Sequence, residues 1–320
     1  MNNTDSNKVR AHLGMLLRAL ILGLSFSAVG LMAEGLPPLL LTALRFAVAV
    51  AVLLPFVWRT PNWLPSPTGL ALYGALGLCQ AAFFGSMFWA AHRTTALSMT
   101  VLYVVVPFLA YCLGRGFRVE PPRGRLVGIL ALGASGALGL AGAERGGRSG
   151  GLHLGSAEAV YFAGCFAIAF YPVLSTWGLA HRWISERASA RTFWSLVVGG
   201  VLVGALGLMR ETPQALARFT PSDVLLLAYL GVFSTGFTFW LMQRAAAVLT
   251  PGEATAYSYV PPFVSMLLLF VTDPQSISWR WLPGAALVVL AIALLLRLDA
   301  DPKSRSPSAL PTAKPVRGSR

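Results

Sequence analysis

Apolar residues fall in long unbroken runs along this chain, and polar residues gather in short breaks between them. Ten such runs can be marked. The first five extend roughly from Leu13 to Ala33, Pro37 to Trp58, Gly69 to Ala91, Ala96 to Leu113 and Leu126 to Ala143. The second five extend from Leu154 to Ala180, Thr192 to Met209, Val224 to Met242, Glu253 to Val271 and Trp281 to Leu296. Each has the length a helix needs to cross hydrocarbon, and lipid admits only helices or closed barrels. The two-residue alternation of barrel strands is absent. The pattern predicts an all-α multi-pass membrane protein with ten transmembrane helices.

Composition agrees. Of the 320 residues 56% are hydrophobic and 12% charged, against about 25% charged in a soluble domain, so no sizeable soluble domain fits beyond the ends. The net charge of +13 would suggest nucleic acid in a soluble chain, but no aromatic-interleaved basic stretch or zinc-ligand spacing accompanies it. Lys and Arg instead collect on the cytoplasmic loops of membrane proteins. With the N-terminus inside, the inner segments hold 17 of the 25 cations and the outer loops six, Arg93, Arg145, Arg148, Arg210, Arg218 and Arg280. Arg18 and Arg45 lie within spans. Both termini are therefore expected in the cytoplasm. The first run is too long for a signal peptide, and Leu31-Met32-Ala33 is a poor cleavage site, so this run is expected to remain as a helix. Cys79, Cys112 and Cys165 are few and widely spaced, and read as core residues rather than as a disulfide framework or metal site.

Two decapeptides correspond. FWAAHRTTAL occupies 88–97 and FWLMQRAAAV occupies 239–248, closing the third and eighth spans. Pro107 lies in the fourth span and Pro261-Pro262 in the ninth. A five-span offset is odd, so two such halves enter the membrane with opposite orientation, the inverted-repeat arrangement of many transporters. The expected organisation is a cytoplasmic N-tail (1–11), a first five-helix repeat (12–143), an outer linker (144–153), a second repeat (154–298) and a basic tail (299–320). The tail is Pro-, Ser- and Lys/Arg-rich, a composition that favours disorder.

The order of spans, the Leu44-Arg45-Phe46 arginine in the second, the prolines at 107 and 261–262 and the glycine-rich fifth resemble the drug/metabolite transporter superfamily, specifically its EamA-type ten-helix members. The resemblance covers roughly 12–298. It implies an inner-membrane carrier moving, often exporting, a small polar or amphipathic metabolite such as an amino acid or drug-like compound. Where the family pattern places Gly-Glu at the inner end of the fourth span, this chain has Gly114-Arg115-Gly116, with Glu120 downstream. After the ninth span it has Thr272-Asp273-Pro274.

Charge inside a bilayer is costly, so each intramembrane ionisable group raises a functional question. Arg45, near mid-membrane, is the foremost candidate. It either contacts a substrate carboxylate or ties helix carbonyls to hold the fold. Arg18 sits near the inner mouth, where snorkelling to water suffices. Neutral polar and aromatic candidates for the binding site are Gln80, Tyr103, Tyr171, Tyr257 and Tyr259, which can bond or stack on a ligand or bond a neighbouring helix. Glu158 and Glu34 lie at outer ends, no acid lies at mid-span, and His92 is the neutral-pH candidate for proton coupling. The four-glycine ridge at 133, 136, 139 and 142 suits close helix packing, within the chain or in a homo-oligomer. No metal-ligand cluster and no cofactor fingerprint stands out. Two other classes remain: an intramembrane enzyme acting on a lipid-linked substrate, whose hydrolase and metalloprotease motifs are missing, and a non-transporting membrane receptor.

Overall fold

A computed structural model describes residues 3–33, 35–59, 63–91, 93, 99, 102–144, 155–272 and 279–300. The described chain is helical: α1 (Asn3–Gly30), α2 (Pro38–Trp58), α3 (Pro67–Ala91), α4 (Val106–Gly116), α5 (Gly124–Glu144), α6 (Ser156–Ala180), α7 (Ala188–Arg210), α8 (Pro221–Ala245), α9 (Pro251–Ala256), α10 (Val260–Thr272) and α11 (Trp281–Ala300). Six helices among the described residues, α2, α3, α6, α7, α8 and α11, are long and apolar enough to cross a membrane; α4 and α5 belong to shorter apolar helices.

Local chemistry sets the boundaries. Thr220-Pro221-Ser222-Asp223 and Thr250-Pro251-Gly252-Glu253 are capping boxes that open α8 and α9. In each, the threonine hydroxyl accepts from the acid's backbone N–H and the acid accepts from the threonine N–H. Proline at the first helical position forfeits no hydrogen bond there. The same rule places Pro107 in the first turn of α4 and Pro261-Pro262 in the first turn of α10. These prolines start helical segments rather than kink a span at its middle, and what precedes them is irregular: a turn at Val105 and the 3-10 turn Tyr257–Tyr259. Pro172 lies inside α6, which continues through it.

Residues 3–11 of the N-tail are helical and continue into α1. The glycine ridge of α5 is filled within the chain. A Cβ at Gly136 would lie 2.8 Å from the Val288 nitrogen and 2.9 Å from the Gly284 oxygen of α11, and one at Gly133 would strike the Tyr259 ring. Of the four ridge glycines, Gly142 alone faces open space.

The bundle has two ends, one marked by Gly35 between α1 and α2, the other by Trp63 between α2 and α3. The closest helix pairs are α2 with α7, α5 with α11, α3 with α6 and α7, α1 with α8 and α10, α2 with α8, and α4 with α6 and α9. Leu13, Leu17, Leu20 and Leu24 form an exposed stripe on α1, and Leu282, Val289, Leu290 and Leu296 are exposed on α11. Arg18, Arg45, Gln80 and Arg191 are buried. Apolar outside and polar inside is the distribution a bilayer requires.

Candidate functional site

Arg45 is 1% exposed on α2, against the one stretch of α8 that is not α-helical. Leu230–Phe237 is a π-turn, a distortion found often at functional sites. Glycine allows the close approach: a Cβ at Gly231 would lie 2.6 Å from the Val48 side chain and 3.1 Å from the Arg45 carbonyl. The turn presents two adjacent hydroxyls. Arg45 Nε donates to Thr235 Oγ1, and Nη2 donates to Ser234 Oγ at 2.6 Å. The guanidinium also lies over the Phe84 ring, 4.3 Å from its centroid, a cation–π contact.

A small cavity of about 30 Å³ adjoins this cluster, lined by Arg18, Ser25, Arg45, Phe84, Tyr103 and Ser234 among others. Arg18 is 6% exposed. Its guanidinium hydrogen-bonds the Tyr103 hydroxyl, while its buried Nε has no partner. Arg18 therefore does not snorkel. Because α1 begins at Asn3, Arg18 falls at the middle of the helix, where Ser234 and Phe239 of α8 line the cavity with it. Ser25 bonds its own helix at the Ile21 carbonyl, 2.6 Å away.

A vestibule of about 1360 Å³ opens at the Gly35 end, with Trp89, Arg93, Arg210 and Glu211 in its wall and Ser86 and Gly164 among its lining. Val29 lines both it and the small cavity. Glu211 caps α2, its carboxylate accepting from Leu39 N at 2.8 Å and Leu40 N at 2.9 Å.

The Trp63 end is bolted. Glu120, in the turn between α4 and α5, accepts from Gly252 N at 2.7 Å, and Arg123 pairs with Glu253. Burial pushes the Glu120 carboxyl up to about 7, and the Glu253 charge adds to this; the Gly252 N–H, Thr250 and Arg123 oppose it. Nearby, Arg191 Nε donates to Gln243 Oε1 at 2.8 Å, Nη1 to the Ser185 carbonyl at 2.7 Å, and Nη2 to the Gln243 carbonyl. Trp63 stacks on Trp194 at 5.6 Å.

Of the residues singled out from sequence, Arg45 and Tyr103 meet at the central cavity. Gln80 is fully buried, and neither its amide nitrogen nor its oxygen has a hydrogen-bond partner. It lies four residues before Phe84 on α3, and so one turn away on the same face. Tyr171 is next to this centre: its ring meets Phe239, a cavity residue, edge-on at 5.1 Å, and its hydroxyl accepts from Gln243 Nε2 at 2.7 Å. Tyr257 and Tyr259 are not brought there. The 3-10 turn sends Tyr257 to His12, 2.8 Å from hydroxyl to Nδ1, and Tyr259 onto Gly133. Glu158 is buried and caps its own helix through the Gly155 N–H at 3.0 Å. His92, Glu34, Asp273, the linker residues 145–153 and the tail from 301 lie outside the described residues. Sequence reasoning missed His12, Arg191 and Gln243. For Gln243 a signal existed, since it occupies the place of His92 in the second decapeptide. Among the described residues no group of His, Cys, Asp and Glu could hold a metal.

The duplicated decapeptides build the same device twice. Arg93 lies over the Trp89 ring at 4.5 Å, and Arg244 over the Trp240 ring at 4.9 Å. A family model described as the EamA-like transporter family matches twice, over residues 9–142 and 156–297. The chain belongs to the EamA-like transporter family. The inner membrane transporter YedA of Escherichia coli K12, itself uncharacterized, is 26% identical over 279 residues, 86% of this chain and 87% of that protein. The uncharacterized transporter YcxC of Bacillus subtilis 168 is 24% identical over 299 residues, 88% and 91% of the two chains. A protein crystal structure at 20% identity aligns with TM-score 0.71 over 92% of this chain and 99% of its own, and at that identity shows likeness of fold alone. The family and both relatives are described as transporters, not enzymes, which removes the intramembrane enzyme from consideration.

Proposed function

We propose that this EamA-family protein is a secondary transporter of the inner membrane that exports a small polar or amphipathic metabolite by alternating access. The observation that carries the reading is the asymmetry of the two ends. A vestibule of about 1360 Å³ opens at the Gly35 end above a buried, arginine-lined cavity, while the Trp63 end is cross-linked through Glu120–Gly252 and Arg123–Glu253. One end open, the other latched and polar groups between them is one half of an alternating cycle. The word inner membrane in the name of the Escherichia coli relative supports the location.

In this reading the chain crosses ten times, as halves 12–143 and 154–298 joined by the outer linker 144–153, with both termini and the Trp63 end in the cytoplasm. Exchanging each helix of one half for its counterpart in the other leaves the close pairs largely unchanged: α2 with α7 maps onto itself, α3 with α6 becomes α8 with α1, α3 with α7 becomes α8 with α2, and α4 with α6 becomes α10 with α1. The fourth and ninth crossings are the interrupted ones, as expected where inverted repeats meet around a substrate. Arg45 and Tyr103 form the substrate contact, with Gln80 and Tyr171 beside it.

Counterflow in proteoliposomes tests transport. Reporters fused after Ser66, Arg187 and Ser304 should read cytoplasm, and those after Gly35, Arg148 and Ala217 periplasm; the reverse signals at 187 and 148 would rule out the inverted arrangement.

A further inference from the structure

Three arginines among the described residues are deeply buried, Arg18, Arg45 and Arg191, and they are treated differently. Arg191 is saturated by carbonyl oxygens, from Ser185, from the Gln243 backbone and from the Gln243 amide. That is how a guanidinium is held when its task is to tie helices together. Arg45 has two hydroxyls and a ring face, and Arg18 has one hydroxyl and a buried Nε with no partner. Both line the same small cavity. Among the described residues no acidic side chain lines it, and neither arginine has a carboxylate partner.

Arginine does not deprotonate in proteins, and buried charges are ordinarily paired because low dielectric penalises a lone one. Two unpaired guanidiniums around one cavity leave about two positive charges for something else to neutralise. Resting on the transport reading above, we infer that this site takes a small dianion, a compound carrying two negative charges such as a phosphate monoester or a dicarboxylate. A monoanion leaves one guanidinium uncompensated. A zwitterion brings an ammonium group for which the cavity supplies no carboxylate, and a cation is repelled by both arginines. The cavity of about 30 Å³ holds roughly two waters, room for one acidic head between the arginines, so the rest of the ligand extends toward the vestibule, with which the cavity shares Val29. Hydroxyl partners such as Ser234, Thr235 and Tyr103 can rotate to accept from arginine or donate to an incoming oxygen.

The test uses the purified full chain with succinate, glycerol 3-phosphate, lactate, glutamine and tetraphenylphosphonium as probes, measuring thermal shift and then counterflow. At least one of succinate and glycerol 3-phosphate should bind at least tenfold more tightly than lactate, and which of the two does so separates carboxylate from phosphate recognition. Arg18→Gln should weaken that dianion at least tenfold and lactate less than threefold, while Arg18→Lys keeps most of the preference. Wild-type protein that binds neither dianion overturns the inference, and so does a dianion-to-lactate ratio unmoved in a folded Arg18→Gln variant. Exchange of glutamine or tetraphenylphosphonium without dianion binding would leave transport standing and sink the dianion. Dianion binding without exchange of any probe would keep the site and sink transport.

Discussion

Glu120 makes the latch at the Trp63 end sensitive to pH. Its carboxyl is 1% exposed, with one oxygen on Gly252 N and the other without a partner. The groups around it are Glu253, which disfavours its charge, Arg123, which favours it, and Arg115, which bonds its backbone carbonyl at 3.2 Å. Closed, Glu120 titrates at about 7; exposed to water by opening, it returns to an ordinary 4.5. The closed state thus binds the proton more tightly, and its advantage is lost as pH rises through 7. From pH 6 to pH 8 the ratio of closed to open falls about tenfold, or about 1.4 kcal/mol. Glu120→Gln keeps an oxygen for the Gly252 N–H but carries no charge, and should hold the ratio near its acidic value. The assay is a distance distribution between spin labels at Arg118 and Val248, both exposed beside the latch, with Cys79, Cys112 and Cys165 replaced by serine. An open fraction that does not grow between pH 6 and 8, or that grows equally in Glu120→Gln, would refute the mechanism. The melting temperature should fall over the same interval, because the folded state carries the raised value.

Arg45→Gln should raise the apparent dissociation constant for carboxylate ligands at least tenfold and Tyr103→Ala should weaken binding as well, while Tyr259→Ala, whose ring lies on Gly133, should leave affinity unchanged; isothermal titration checks all three. Gln243→Leu removes an acceptor from Arg191 and a donor from Tyr171 and Ser175, costing about 2 kcal/mol, so an unaltered melting temperature would count against that network. Gly136→Leu should cost about 1–3 kcal/mol by overpacking against α11, whereas Gly142→Ala, which meets nothing within 4 Å, should melt no lower than wild type.

Much of this molecule follows from the order of its residues alone. Runs of about 20 apolar residues must become helices because nothing else satisfies a backbone in lipid, and the repeated Phe-Trp-x-x-x-Arg segments disclose two related halves, since Trp and Arg four apart on a helix meet whatever surrounds them. The thioethers, aliphatics and glycines of the spans also announce close packing, though not against what. Partners far along the chain decide the rest. Arg45, Arg18 and Arg191 are the same residue, and only the fold gives Arg191 two carbonyls of a glutamine 52 positions away, while leaving the other two around a cavity. Arg18 reads as a snorkelling cation until the fold buries it around a cavity shared with Arg45, Phe84 and Tyr103. Tyr257 and Tyr259 look like a pair, but a 3-10 turn aims one at α1 and the other at α5. Glu120 reads only as a displaced loop acid until α9 arrives from 132 residues away to bond it. Helix formation is local, so sequence reports it; burial and charge pairing are sums over neighbours that only the packed helices bring together.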